Sequence, residues 1–225
     1  MIRRVYRTGF IVAGELVSSV AEARPVTELI PPSYFAPLDL GTVFSRSAPV
    51  EIDVGCGDGA FLIALAQQFP ERDFLGFERM FGRVRSACRK AEQSGLTNVR
   101  IVRVEGSYAV RYLLPPSSVD VVHVLFPDPW PKKRHHRRRI ITQQFVRYVQ
   151  TAMQPTGLFH VATDDADYFA QITDVSRQVS GWWMVDLSPD ASFPETTFEK
   201  HFTKTGAEIH RLLLRKGSPA RNGSA

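Results

Sequence analysis

Cysteine is scarce in this chain: Cys56 and Cys88 are the only two among 225 residues, far apart and in no CxxC or Cys/His ligand spacing. Their placement excludes a disulfide framework, gives no zinc signature and fits a reducing compartment. Long apolar runs are missing as well. No stretch approaches the roughly 18 residues of a membrane span, and the basic N-terminus runs into mixed polar sequence rather than into the apolar segment of a secretory signal. The expected protein is soluble and cytoplasmic, with no membrane partner and no metal. No internal repeat is found.

Apolar residues make up 44% of the chain, enough for one substantial core, and the length makes a single domain the expectation. The 28 Lys and Arg against 23 Asp and Glu leave a net charge of +5, which suits a polyanionic partner without requiring one. Monomer and homodimer are equally open.

From position 50 onward, short apolar runs alternate with longer helical stretches, the pattern of a parallel sheet covered by helices. Strands are expected at Val50–Val54, Asp73–Glu78, Asn98–Val104, Val119–Phe126, Leu158–Thr163, Trp182–Leu187 and Ala207–Arg215. Phe61, Leu62, Leu65, Ala66 and Phe69 make one buried helical stripe, and further helices are expected over Met80–Ser94, toward Leu114, over Arg137–Met153 and over Ala166–Val179. Five α/β units, a strand, an irregular loop and a final alternating strand fit a seven-stranded sheet better than a symmetric six-stranded dinucleotide-binding one. Residues 1–45, with Arg3, Arg4, Arg7 and Pro31–Pro32, read as an appended basic arm, 46–216 as the main domain and 217–225 as a disordered tail.

The first strand runs into Asp53-Val-Gly-Cys-Gly-Asp-Gly59. Glycines at alternate positions let the backbone turn tightly and approach a ligand without a Cβ in the way. The spacing is GxGxG with an acid two residues before the first glycine, not the GxGxxG of a dinucleotide fold. It is the loop of an α/β, Rossmann-like, class I S-adenosylmethionine-dependent methyltransferase fold. Gly55 and Gly57 would face the cofactor, and Asp53 would take its ammonium group. Glu78, ending the second strand, would accept the ribose hydroxyls, and Ser107 in Glu105-Gly-Ser107 would hold the adenine amino group, a role Glu105 can also fill.

The fourth strand ends in Phe126-Pro-Asp-Pro-Trp130, where open α/β sheets place their chemistry. Two prolines lock the backbone around Asp128, and Trp130 offers a surface for an aromatic base. Next stands Lys132-Lys-Arg-His-His-Arg-Arg-Arg139, six fixed cations in eight residues. The run leads into the start of the helix expected from Arg137, where the helix dipole disfavours cations unless an anion binds, so nucleic-acid phosphate is expected there. His135 and His136 are adjacent, not at i, i+4, and join the phosphate patch rather than a metal site.

Phe126-Pro-Asp-Pro-Trp-Pro-Lys-Lys-Arg-His-His-Arg-Arg-Arg139 closely resembles the central motif of the bacterial tRNA (guanine-N7)-methyltransferases. Thr196-Thr-Phe-Glu199 matches that family's Thr-x-Phe-Glu, and Thr163-Asp164 closes the fifth strand as it does there; the resemblance covers roughly residues 40–216. It implies methyl transfer from S-adenosylmethionine to N7 of a guanine in tRNA, in the variable loop. By motif, it places the cofactor acids at Asp53 and Glu78 and the active-site acid at Asp128. The tRNA contacts fall on Lys132, Asp164, Thr196, Thr197, Phe198 and Glu199. Ser107 stands where the family usually carries Asp, and Thr197 where it usually carries a basic residue. A methyltransferase of exocyclic or amide nitrogens would carry (N/D)PPY at the same strand end; a silent RNA-binding partner and a nucleotide-dependent oxidoreductase are the remaining alternatives.

Overall fold

The structure, a computed structural model, describes residues 27–186 and 193–217. Arg3, Arg4 and Arg7 of the expected arm, Leu187 and residues 218–225 lie outside them.

Seven strands form one sheet: β1 (Val50–Val54), β2 (Asp73–Glu78), β3 (Val99–Arg103), β4 (Val119–Leu125), β5 (Met153–Thr163), β6 (Trp182–Met184) and β7 (His210–Lys216). Their order is β3-β2-β1-β4-β5-β7-β6, parallel from β3 to β5, with β7 antiparallel to both β5 and β6. The helices are α1 (Leu40–Phe44), α2 (Ala60–Gln68), α3 (Phe81–Gln93), α4 (Gly106–Tyr112), α5 (Gln143–Ala152), α6 (Ala166–Arg177) and α7 (Thr197–Thr205). The expected α/β fold with seven strands is therefore found.

Alternation along the strands divides the core between the two faces of the sheet. Ile52, Leu75, Phe77, Val122, Val124, Phe159, Val161, Leu212 and Leu214 pack on one side with Val110, Phe145, Val149, Tyr168 and Ile172 from α4, α5 and α6. On the other side Phe74, Val99 and Ile101 meet Phe61, Leu62, Leu65, Val84 and Ala87 from α2 and α3. Towards the centre of that second face, Glu51, Asp53, His123 and His160 are all buried. Leu38 and Phe44, from the stretch before β1, belong to the first core, and Glu28 bridges Ile101 on β3.

Several expected segments differ: β5 extends back to Met153, β6 ends at Met184 and β7 begins at His210. The helix expected over Arg137–Met153 begins at Gln143, because the Thr142 hydroxyl accepts the Phe145 N–H at 3.2 Å and caps it there. The basic run instead makes its own short 3-10 helix, Lys133–Arg138. The irregular loop before the last strand contains α7, whose start is set by the Thr196 hydroxyl accepting from Glu199 N at 2.9 Å, a cap that reads from sequence as Thr-x-x-Glu.

Candidate active site

The chain runs outward from β1 to β3 and returns on the other side of β1 to form β4. Such a reversal opens a crevice at the carboxyl ends of the strands. The glycine loop leaves β1 on one side of it, and the Asp128 loop leaves β4 on the other.

Gly55, Gly57 and Gly59 all have positive φ, of 83°, 57° and 77°. A Cβ at Gly55 or Gly57 would meet no heavy atom within 4 Å, so backbone borders open space there. At Gly59 it would lie 2.7 Å from the Ala87 Cβ. The third glycine therefore lets α2 pack on α3, and the first two form a cradle.

Asp53 lies under that cradle, 3% exposed, with no described residue donating a hydrogen bond to its carboxylate. Burial pushes its carboxyl up to about 7, with His123 opposing and Glu78 reinforcing the shift. A buried acid in this position needs a cationic or donor partner. Glu78 accepts the Gly57 N–H at 3.1 Å and the Met80 N–H at 2.7 Å, and Arg83 lies 3.9 Å away. It thus fastens the cradle to β2, and its oxygens keep further lone pairs for a ligand. Both Glu105 oxygens cap α4, accepting from Ser107 N at 3.0 Å and Tyr108 N at 2.7 Å.

A buried polar chain extends from this site along the same face of the sheet. Arg72 donates to Glu51 at 2.6 Å; His123 lies 3.0 Å from the other Glu51 oxygen and 3.1 Å from His160, on which Phe193 stacks. Burial raises the Glu51 carboxyl, but His123 and Arg72 outweigh it and hold the group below the usual range. Burial drives His160 well below the ordinary histidine value, keeping it neutral. Sequence reasoning missed this chain, although a histidine inside an apolar strand run was a visible signal.

Past β4 the backbone is strained. Phe126 and Trp130 have φ of 50° and 45°, which non-glycine residues rarely adopt. Asp128 stands exposed between Pro127 and Pro129. The Phe126 N–H donates to Ala162 O at 2.8 Å, and its ring lies 6.4 Å from Phe198 and 5.5 Å from Phe202 of α7. These contacts bring the Asp128 loop, the end of β5 with Asp164, and the start of α7 together. Thr197 is exposed and Phe198 is 46% exposed. Glu199 pairs with Arg211 on β7, a residue the sequence did not single out.

Lys132, Lys133, Arg134, Arg137 and Arg138 are exposed. Because α5 starts at Gln143, the run is not at that helix's N-terminus, and the dipole argument for phosphate falls away; five exposed cations with Arg138 over the Trp130 ring at 4.7 Å remain. Arg139 is not one of them, being 3% exposed. Among the described residues there is no metal-ligand cluster, and no helix is long and apolar enough to cross a membrane.

The strand order, the glycine cradle and the acid below it define a class I S-adenosylmethionine-dependent methyltransferase fold. It is shared with a 16S rRNA methyltransferase, KamB (TM-score 0.59, 20% identity, 81% of this chain and 95% of that one). It also matches an S-adenosylmethionine-dependent O-methyltransferase from Thermotoga maritima (TM-score 0.52, 13% identity, 81% and 65%). Residues 47–212 match the Methyltransf_4 family, described as "Putative methyltransferase". The tRNA (guanine-N(7)-)-methyltransferase of Halorhodospira halophila is 38% identical over 195 residues, 79% of either chain. The chain belongs to the tRNA (guanine-N7)-methyltransferase family.

Proposed function

We propose that this protein transfers the methyl group of S-adenosylmethionine to N7 of a guanine in tRNA, the variable-loop guanosine, in the cytoplasm. The observation that carries this is the juxtaposition, across one crevice, of the open Gly55–Gly57 cradle over Asp53 with the Asp128 loop and its exposed cations.

The bound cofactor supplies an electrophilic methyl carbon on a positive sulfur. Asp53 would hold its ammonium group, Glu78 its ribose hydroxyls, and Ser107 its adenine amino group, beside Glu105, which caps α4 and keeps further lone pairs. Guanine N7 has an in-plane lone pair and no proton, so no general base acts before transfer. Methylation at N7 would leave the base cationic. Most of the rate comes from positioning. Asp128 accepts hydrogen bonds from the guanine N1–H and exocyclic amine, fixing N7 toward the methyl group and stabilising the cationic product. Asp164, Phe198 and Glu199 bound the base and its ribose, with Thr196 and Thr197 at the start of α7, and Lys132 with its neighbours takes phosphates.

Two results are expected. Because Asp53 titrates near 7 in the free protein and must be ionised to hold an ammonium group, cofactor binding releases a proton below that pH. Affinity measured by calorimetry should fall about tenfold per unit as pH drops below about 7; a flat response from pH 5.5 to 7 would remove Asp53 from this role. Second, tRNA affinity should fall by about 0.7 to 0.9 log units per log salt for each phosphate neutralised. Binding insensitive to salt would count against the cation run as the RNA contact.

A further inference from the structure

Arg139 ends the basic run in sequence but leaves it in space. Its Nε donates to the Pro129 carbonyl at 2.7 Å, Nη1 to the Gln171 side-chain oxygen at 2.7 Å and Nη2 to Asp167 at 2.6 Å, while the guanidinium lies 4.7 Å above the Tyr168 ring. Three neighbours on α6 thus fix the cation, and the fourth is the loop that bears Asp128. Tyr168 is itself fixed, its hydroxyl accepting the Ile141 N–H at 3.1 Å. Burial pushes its phenol up to about 12, Asp128 adding in the same direction.

We infer that Arg139 is a positioning residue for methyl transfer: it clamps the Pro129 carbonyl to α6 and through it holds the Asp128 carboxylate in place, and it does not contact phosphate. The inference rests on the role proposed above for Asp128.

Pro127, Pro129 and Pro131 have no N–H, so three of the five residues from 127 to 131 cannot donate to a backbone partner. Phe126 and Trp130 flank Asp128 in the left-handed region, which is strained for non-glycine residues. Such a conformation persists only when its surroundings impose it. Among the described residues, the hydrogen bond reaching the backbone of 127–131 comes from Arg139. A lysine cannot substitute, because it has one nitrogen where the guanidinium presents three in a fixed plane. Nor can a side chain 3% exposed and bonded at all three nitrogens reach a phosphate without abandoning the loop.

Arg139→Lys keeps the charge and loses the fork. Measured well below its melting temperature, at saturating cofactor and tRNA, it should show kcat reduced by about 10- to 100-fold, since misplacing a reacting group by about 1 Å costs up to about that much. In Arg139→Gln, which removes the charge, the slope of log tRNA affinity against log salt should not change. Arg137→Gln, at an exposed cation, should lower that slope by about 0.7 to 0.9. A loss of slope in Arg139→Gln with kcat retained in Arg139→Lys would make Arg139 a phosphate contact and overturn the inference, as would retention of both. Guanidinium at tens of millimolar, against matched sodium chloride, should restore part of kcat to Arg139→Ala; lost packing alone would give no such recovery. If the position 139 variants fail to fold, Gln171→Leu with Asp167→Asn removes two of the partners from α6 and should lower kcat in the same way, with normal kcat overturning the clamp. Hydrogen exchange at the Phe126 amide, which donates to Ala162 O at the start of the loop, should accelerate in Arg139→Lys and not in Arg137→Gln. That readout stands even if the wild-type protein methylates no tRNA, an outcome that would sink the proposed function and leave the clamp to be judged on exchange alone.

Discussion

Asp128→Asn is expected to lower single-turnover methyl transfer by about 10² to 10³, the range seen when one preorganised electrostatic contact to a transition state is removed. A carboxylate accepts both the N1–H and the exocyclic amine of guanine and offsets the positive charge that builds on the base. An amide has one acceptor oxygen, turns an N–H toward a donor, and carries no charge. Asp128 is exposed in the free protein, so the change should leave folding nearly untouched, within about 0.5 kcal/mol. Cofactor affinity should also persist, because Asp53, Glu78 and the glycine cradle lie on β1, β2 and the loop between β1 and α2. Near-normal turnover in a folded, cofactor-binding variant would refute the role of Asp128.

Asp53→Asn should separate stability from function in the opposite sense. The carboxyl of Asp53 is raised to about 7 in the fold, above its ordinary value of 3.8. Its favourable balance is therefore complete below the unfolded value and is lost as pH rises through about 7, so at pH 8 the ionised group destabilises the free protein. A shift of this size corresponds to about 4 kcal/mol, and a buried amide left without a partner costs about 1–3 kcal/mol in turn. The net gain for the variant is about 1–3 kcal/mol, or roughly 2–10 °C in melting temperature for a domain of this size. The difference between variant and wild type should widen from pH 5.5 to 8. Cofactor affinity should fall about 100-fold, as expected when a buried charged hydrogen bond of about 3 kcal/mol is removed. A variant that melts lower at pH 8 and still binds the cofactor would show that Asp53 is a structural acid.

Where hydrophobic period decides structure, the sequence was legible. Val50–Val54 and Asp73–Glu78 are the strands expected, to the residue, because each is an apolar run closed by a turn. The helix after β4 was placed too early because its cap is Thr142, and Arg139 before it is extended, at φ −60° and ψ 128°, with its side chain buried against α6. A string of cations gives no sign that one of them faces inward. Similarly, Thr196 and Glu199 stand out as a signature, but their hydrogen bond makes them the start of α7, and Glu199 owes its pairing to Arg211 twelve residues on. The glycine motif announced a ligand site, whereas only the backbone geometry divides it into two glycines at open space and one at a helix contact. Local chemistry was readable in these places, and the long-range partner of each side chain was not.

The central claim is tested most directly by incubating the protein with labelled S-adenosylmethionine and tRNA lacking N7-methylguanosine, digesting the RNA and identifying the labelled nucleoside by mass spectrometry. Labelled 7-methylguanosine, at the variable-loop position, is the predicted result. Label in any other nucleoside, or none despite measurable cofactor binding, would contradict the claim.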